Sequence, residues 1–116
     1  MPFSRPACQE PDCVFVPIAL VEDLPPGERL FVHIDEWDVV LFNLDGQIFA
    51  LEDRCTHAGR PIGEGEIEDG VLTCPYHGSR FDVRTGAVVA PPATEPLLAF
   101  PVRVVDGLIA LGLPAF

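Results

Sequence analysis

Two pairs of metal-binding residues constrain this chain more than any other feature of its sequence. Cys55 and His57 are one residue apart, and Cys74 and His77 follow in the spacing C-x-H-x16-C-x2-H. Thiolate and imidazole are donors that iron and zinc prefer. A structural zinc site usually contains C-x2-C or H-x3-5-H, and the C-x-H step is too tight for that pattern. Because each pair offers one thiolate and one imidazole, the spacing indicates two loops that hold a two-metal group from opposite sides.

The residues that flank both pairs carry a family resemblance. The first segment is Cys-Thr-His-Ala-Gly-Arg-Pro-Ile over 55–62, and the second is Cys-Pro-Tyr-His-Gly-Ser-Arg-Phe-Asp-Val-Arg-Thr-Gly over 74–86. They resemble the two cluster-binding boxes of Rieske iron–sulfur proteins. Among these proteins, the chain is most similar to the small ferredoxins of bacterial multicomponent dioxygenases. The resemblance covers residues 14–112.

This resemblance implies a cofactor and its ligands. A Rieske centre is a [2Fe–2S] cluster in which two His replace two Cys on one of the irons. We therefore expect one cluster per chain, with Cys55 and Cys74 on the inner iron and His57 and His77 on the outer iron. No catalytic residue is implied.

The resemblance also implies an all-β fold in one domain over residues 1–116. The Rieske fold has an antiparallel β-sandwich or barrel base with a small inserted β subdomain that binds the cluster. We expect the cluster-binding subdomain over 52–89 and the base over 14–51 and 90–113. Residues 1–12 are expected to form a loose tail.

Turn signals favour an all-β meander independently of the resemblance. Asp-Gly dipeptides at 45–46, 69–70 and 106–107 are strong hairpin signals, and Thr-Gly at 85–86 is a weaker one. No convincing helical period of ten residues occurs. Strands are predicted over 14–18 (at a sheet edge, because of Pro17), 29–34, 38–44, 47–52, 97–105 and 108–113, and a further hairpin joins 64–68 to 71–73.

Departures from other Rieske proteins bear on the reduction potential. High-potential respiratory members carry an extra Cys in each loop, and a disulfide joins them. Arg60 and Tyr76 stand at those positions here, so the loops are not cross-linked. Ser79 keeps a hydroxyl that donates to a bridging sulfide in those proteins, whereas Phe81 lacks a phenol that donates to a cysteine sulfur. We therefore expect a potential in the lower part of the Rieske range of about −150 to +300 mV.

The net charge of the chain restricts the classes of partner that it can bind. The net charge is −11, and all seven basic residues are Arg. This balance argues against nucleic-acid binding. It fits either a partner with a positive patch or the needs of solubility alone. Four Arg lie near the boxes, and they are either solvated surface charge or, for Arg60 beside His57, a contact to an acidic partner: Arg54, Arg60, Arg80 and Arg84.

The expected compartment bears on the state of the two remaining cysteines. No run of 18 apolar residues occurs, and the N-terminal residues lack the apolar run of a signal peptide, so we expect a cytoplasmic protein without a membrane span. Cytoplasmic conditions disfavour disulfides. We therefore interpret Cys8 and Cys13 as free thiols, although they could pair. His33 is expected to be structural or exposed.

The favoured function is that of a one-electron carrier between a flavin-dependent ferredoxin reductase and a terminal oxygenase. The chain is not expected to be an oxygenase, because a mononuclear iron site needs two His and a carboxylate and His33 is the one His outside the boxes. The alternative is a small subunit resembling that of assimilatory nitrite reductase, many versions of which lack the cluster ligands. A zinc-binding interaction module is a third possibility.

Overall fold

The computed structural model describes residues 5–9 and 12–114, which fold almost entirely into strands. Within them, helical structure is confined to one 3-10 turn, Val21–Asp23. The described ranges contain no helix with the length and hydropathy needed to cross a membrane. The strands are β1 (Arg5–Pro6), β2 (Cys13–Leu20), β3 (Arg29–Ile34), β4 (Trp37–Leu44), β5 (Gln47–Glu52), β6 (Ile67–Glu68), β7 (Val71–Thr73), β8 (Arg80–Asp82), β9 (Val88–Ala90), β10 (Leu98–Phe100), β11 (Val102–Val105) and β12 (Leu108–Pro114).

These strands form three sheets. A five-stranded sheet has the order β1-β10-β5-β4-β3, a three-stranded sheet has the order β11-β12-β2, and a four-stranded sheet has the order β6-β7-β8-β9. The first two sheets combine strands from both ends of the chain. The four-stranded sheet is inserted between β5 and β10. The predicted all-β fold class is confirmed, and β2 lies at a sheet edge as its proline indicates.

Each of the three Asp-Gly dipeptides makes a two-residue hairpin loop. Each joins neighbouring antiparallel strands: β4 to β5, β6 to β7 and β11 to β12. In every case both Asp and Gly have positive φ, for example 54° and 96° at Asp45 and Gly46. Positive φ at both central residues defines the type I′ turn, whose twist matches that of paired strands.

Strand β4 is buried on both faces, and this links the base to the inserted sheet. Val39 and Leu41 face a core shared with the three-stranded sheet. Val40 and Phe42 face a second core, shared with the four-stranded sheet. Successive side chains of a strand point to opposite faces. One apolar run therefore supports the base on one side and the candidate site on the other.

Two expectations for the chain ends need correction. The tail predicted to be loose over 1–12 contains β1, which pairs in parallel with β10, and Ala7 N–H donates to the Ala99 carbonyl at 2.7 Å. Residues 1–4, 10 and 11 lie outside the described part of the chain. The strand predicted over 97–105 is two strands in different sheets, separated by Pro101, which has no N–H for a sheet ladder.

The interpretation of Cys8 and Cys13 as free thiols is wrong. The structure joins them in a disulfide with Cα atoms 5.5 Å apart, within the usual range for such a bond. Asp12 N–H donates to the Gln9 carbonyl at 2.7 Å. This turn brings the two flanking cysteines together, and this local constraint favours pairing whatever the compartment.

Candidate metal centre

Residues 55–60 form a loop closed by two backbone hydrogen bonds. Cys55 N–H donates to the Arg60 carbonyl at 2.8 Å, and Gly59 N–H donates to the Cys55 carbonyl at 2.7 Å. Gly59 has a φ of 68°, a left-handed conformation that glycine adopts without the Cβ penalty. The chain therefore turns back on itself, with Cys55 fully buried and His57 exposed.

Residues 74–79 repeat this design. Cys74 N–H donates to the Ser79 carbonyl at 2.7 Å, and Gly78 N–H donates to the Cys74 carbonyl at 3.1 Å. Gly78 has a φ of 80°. Cys74 is buried and His77 is exposed. The same loop frame therefore accommodates both the C-x-H and the C-x2-H spacing.

The two loops bring all four predicted residues to one place. The side chains of Cys55 and Cys74 contact each other within the core that the four-stranded sheet covers. The rings of His57 and His77 lie edge to face at the surface, with centroids 5.1 Å apart and planes at 88°. Thiols therefore lie on the inner side and imidazoles on the outer side.

The Cys74 sulfur sits in a mixed environment. Burial raises the pKa of the Cys74 thiol, and the adjacent Cys55 thiol acts in the same direction. The backbone N–H groups of Tyr76 and His77 donate to this sulfur and lower the pKa. Such donors stabilise a thiolate. The loop frame therefore supplies fixed positive dipoles where a metal-bound thiolate would carry negative charge.

The segment after β9 is hydrogen-bonded to both loops. Ala93 N–H donates to the buried Ser79 hydroxyl at 3.0 Å, and the Thr56 hydroxyl donates to the Glu95 carbonyl at 2.7 Å. A hydroxyl that accepts one hydrogen bond keeps its own hydrogen for donation. Pro91 and Pro92, joined by a cis peptide bond, are exposed at the start of this segment.

Three supporting contacts were not foreseen from the sequence. Asp53 Oδ1 accepts from the N–H groups of Ile62 and Gly63, at 2.8 and 2.7 Å. The Arg29 guanidinium donates to the carbonyl of Gly63 and, at 2.7 Å, to that of Gly65. These contacts fasten the exit of the first loop to β3 and to the end of β5. No local sequence pattern reveals the Arg29 contact, since Arg29 is 36 residues from Gly65.

A third unforeseen contact joins the two loops directly. Arg60 Cζ lies 5.0 Å from the centroid of the Tyr76 ring. A cation within about 6 Å of an aromatic ring is attracted to its face. The loops lack a disulfide, as predicted, but this contact connects them at their exposed sides.

The remaining predicted residues lie at the surface. His33 is exposed, and its Nδ1 is 2.7 Å from Asp38 Oδ1. Arg54, Arg60, Arg80 and Arg84 are all exposed. Arg54 lines a cavity of about 340 Å³ beside His57.

Over the described ranges, no three His, Cys, Asp or Glu side chains surround one ion position. A [2Fe–2S] cluster with two cysteines and two histidines takes two protein ligands per iron, so it needs no such group of three.

Comparison with known proteins agrees with this geometry. The Rieske [2Fe–2S] domain model matches residues 14–103. The biphenyl dioxygenase ferredoxin subunit of Pseudomonas sp. strain KKS102 is 44% identical over 91 residues, which cover 78% of this chain and 84% of that protein. The ferredoxin of carbazole 1,9a-dioxygenase from Nocardioides aromaticivorans IC177 superposes with a TM-score of 0.78 at 31% identity, covering 86% of this chain and 97% of that chain.

A solved assembly is also similar. It is a complex of reduced oxygenase and oxidised ferredoxin in carbazole 1,9a-dioxygenase, and one of its chains has a TM-score of 0.76 and 31% identity. That match covers 83% of this chain and 99% of the other.

The chain belongs to the Rieske [2Fe–2S] family. It carries one [2Fe–2S] cluster. Within the family it is a ferredoxin-type electron carrier and not itself an enzyme. The two buried thiols, the two exposed imidazoles and the N–H donors at the Cys74 sulfur fit such a cluster.

Proposed function

We propose that Cys55 and Cys74 bind the inner iron of the cluster and that His57 and His77 bind the outer iron. The single observation that carries this assignment is the separation of donors, with contacting thiols in the core and adjacent imidazoles at the surface. When bound, the cluster supplies a group that takes up and releases one electron.

The ligand residues and the backbone donors around them influence the reduction potential of the cluster. Two neutral imidazoles replace two thiolates, so the ligand set carries two fewer negative charges than four cysteines would. The N–H donors of Tyr76 and His77 further stabilise negative charge at the Cys74 sulfur. The imidazole ligands favour the reduced state relative to a cluster held by four cysteines, and the N–H donors favour it relative to a sulfur without donors.

The exposed imidazoles of His57 and His77 give partners the shortest approach to the cluster, because the thiol side is enclosed by the core. A flavin-dependent ferredoxin reductase would deliver electrons at this face, and a terminal oxygenase of an aromatic-ring dioxygenase system would collect them. The similar carbazole dioxygenase ferredoxin, which is seen with its oxygenase, supports this proposal. The carrier would work in the cytoplasm. An assimilatory nitrite reductase subunit is not favoured, since the curated relatives are dioxygenase ferredoxin subunits.

Reconstitution tests the partner assignment. A flavoprotein reductase and a terminal oxygenase encoded near this chain are purified and mixed with it and reduced nicotinamide cofactor. Electron flow from cofactor to oxygenase should depend on the concentration of this chain and should vanish with the cluster-free protein. Electron delivery to a sirohaem reductase, with none to the oxygenase, would contradict the proposal and support the alternative.

A further inference from the structure

Residues 5–9 are fastened beside the metal centre by a disulfide. We define the N-terminal clasp as residues 5–9, which contain β1, together with the Cys8–Cys13 disulfide that ties them to the start of β2. The clasp covers the outer edge of β10 in the five-stranded sheet. It is therefore an addition to the sheet, not part of its centre.

The clasp reaches the surface around His57. Arg5, Glu52, Arg54, Glu95 and His57 line one cavity of about 340 Å³. The Arg5 guanidinium lies 3.6 Å from the Glu95 carboxylate. The clasp therefore adds a positive charge beside an exposed imidazole in a chain with a net charge of −11.

Without the disulfide, the clasp would be held by the packing of Ala7 against the core of the base, a short ladder and one ion pair. Strand β1 has two residues, and its ladder to β10 is extended by one hydrogen bond, from Ala7 N–H to the Ala99 carbonyl. The ion pair between Arg5 and Glu95 is exposed, and such pairs stabilise little. The Arg5 Nε is buried without a hydrogen-bond partner among the described residues, so release would let water satisfy it.

The disulfide sharply limits how far the clasp can move. It fixes the Cα atoms of Cys8 and Cys13 at 5.5 Å. Five residues of extended chain can span about 17 Å. Breaking the bond would therefore allow Cys8 to move roughly threefold farther from β2, and the short β1 ladder would have to oppose the gain in chain entropy.

We propose that the Cys8–Cys13 disulfide is a thiol-responsive latch that holds Arg5 at the docking face beside His57. A dithiol reductant breaks the S–S bond, both cysteines become thiols, and the reductant leaves as a disulfide. β1 then detaches from β10, and Arg5 leaves the cavity. Both cysteines are partly exposed, which gives a small reductant access.

The released state presents a different surface to partners. Glu52 and Glu95 remain in the cavity after Arg5 has left, so the region beside His57 becomes more negative. An acidic surface on the partner would then dock less well, and a basic surface would dock better. Disulfides in a reducing compartment are usually transient or redox-sensing. The state of this latch would therefore follow the thiol redox conditions around the protein and would change the surface beside His57.

Hydrogen–deuterium exchange of the holoprotein tests the latch without any partner. Peptides containing Ala7 are followed before and after treatment with dithiothreitol, and alkylation followed by mass measurement counts the thiols formed. We expect the Ala7 amide to exchange at least about tenfold faster after reduction. A disulfide typically shifts the equilibrium between closed and open states by more than that factor. Peptides from β4 should not change.

A Cys8→Ser/Cys13→Ser variant provides the control that needs no reductant. Its Ala7 amide should exchange as fast as in the reduced wild type, and dithiothreitol should have no further effect. The visible spectrum of the cluster is recorded in the same samples. Unchanged exchange at Ala7 after both thiols have been alkylated, or after both substitutions, would overturn the proposal. A disulfide that resists dithiothreitol in the folded protein would do so as well.

The docking part of the inference rests on the proposed function, and a second measurement separates the two. Electron transfer to the oxygenase is timed with the oxidised-latch protein, the double Ser variant and Arg5→Ala. We expect the rates of both variants to differ from that of the oxidised-latch protein by at least about twofold, and in the same direction, at low salt. Equal rates would overturn the docking role of Arg5 while leaving the exchange result intact. No transfer from any form would contradict the proposed oxygenase partner instead.

Discussion

The Arg60 guanidinium lies over the Tyr76 ring, with its Cζ 5.0 Å from the ring centroid, and this contact connects the two candidate ligand loops. Both residues are exposed, Tyr76 at 44%. Each sits on a loop that backbone hydrogen bonds close, and the rings of His57 and His77 provide another contact between the loops. The pair therefore supplies a side-chain connection on the face where the imidazoles emerge.

Arg60→Ala should make the cluster easier to lose. An exposed cation–π contact contributes about 0.5–1 kcal/mol, which corresponds to roughly a two- to fivefold change in rate. The measurement is the rate at which visible absorbance bleaches at a fixed denaturant concentration. Tyr76→Phe keeps the ring and serves as the matched control, with a rate near that of wild type. Equal rates for Arg60→Ala and wild type would show that the contact does not restrain the loops.

Ser79→Ala should lower the reduction potential. The Ser79 hydroxyl is fully buried, accepts from Ala93 N–H at 3.0 Å and keeps a hydrogen to donate. A donor to cluster sulfur stabilises the reduced state, which carries one more negative charge. If about 1–2 kcal/mol of a charged hydrogen bond differs between redox states, the shift is roughly 40–90 mV for one electron. Protein-film voltammetry measures it, and an unchanged potential would show that the hydroxyl points elsewhere.

Phe81→Tyr tests the opposite change at the neighbouring position. Phe81 is fully buried in the same core as Cys55 and Cys74. A phenol placed there and donating to a cysteine sulfur should raise the potential by a similar amount, about 40–90 mV. The thermal midpoint of unfolding is measured alongside, because a misplaced hydroxyl would destabilise the core instead. A lower or equal potential in a folded variant would contradict this account of tuning.

Much of the base could be predicted because local signals agree there. Strands β3 and β5 have the bounds expected from their apolar and β-branched residues. The Asp45-Gly46 turn sets where β4 ends and β5 begins, and β4 pairs with both strands. The four candidate ligands could be picked out by their spacing, and the family resemblance implied their assignment to a [2Fe–2S] cluster. The structure adds which side of the site faces solvent, since that depends on packing against β4.

The parts that were missed depend on contacts distant in sequence. The pairing of Arg5 with Leu98 is a two-residue parallel ladder without a pattern of its own. The contact of Arg29 with the Gly65 carbonyl is likewise nonlocal. The Cys8–Cys13 disulfide is local in sequence, but it runs against the general rule that cytoplasmic conditions disfavour disulfides, and it depends on the turn that brings the two cysteines together.

Glu52 should make stability depend on pH. Burial raises the pKa of this carboxyl above 4.5, and the nearby Arg5 and Arg54 oppose the shift. A raised folded-state pKa means that the contribution to stability is present below the unfolded pKa and is lost as pH rises through the folded pKa. The free energy of unfolding of Glu52→Gln minus that of wild type should therefore increase across that interval and then level off.

Urea unfolding at a series of pH values measures this difference. Glu36→Gln, at an exposed position between β3 and β4, is the matched control. A rise of the same size in Glu36→Gln would attribute the effect to overall charge and not to the burial of Glu52.

Cys55, His57, Cys74 and His77 are the proposed cluster ligands, and the iron and acid-labile sulfide content of purified protein tests them directly. We expect two irons and two sulfides per chain in the wild type, as in the family. His33→Ala and Cys8→Ser/Cys13→Ser, which alter the His and Cys outside the loops, should retain both. Cys74→Ala and His57→Ala should retain neither, because each removes a ligand on which the metal site depends. One zinc without labile sulfide in the wild type, or a full cluster in Cys74→Ala, would contradict the account.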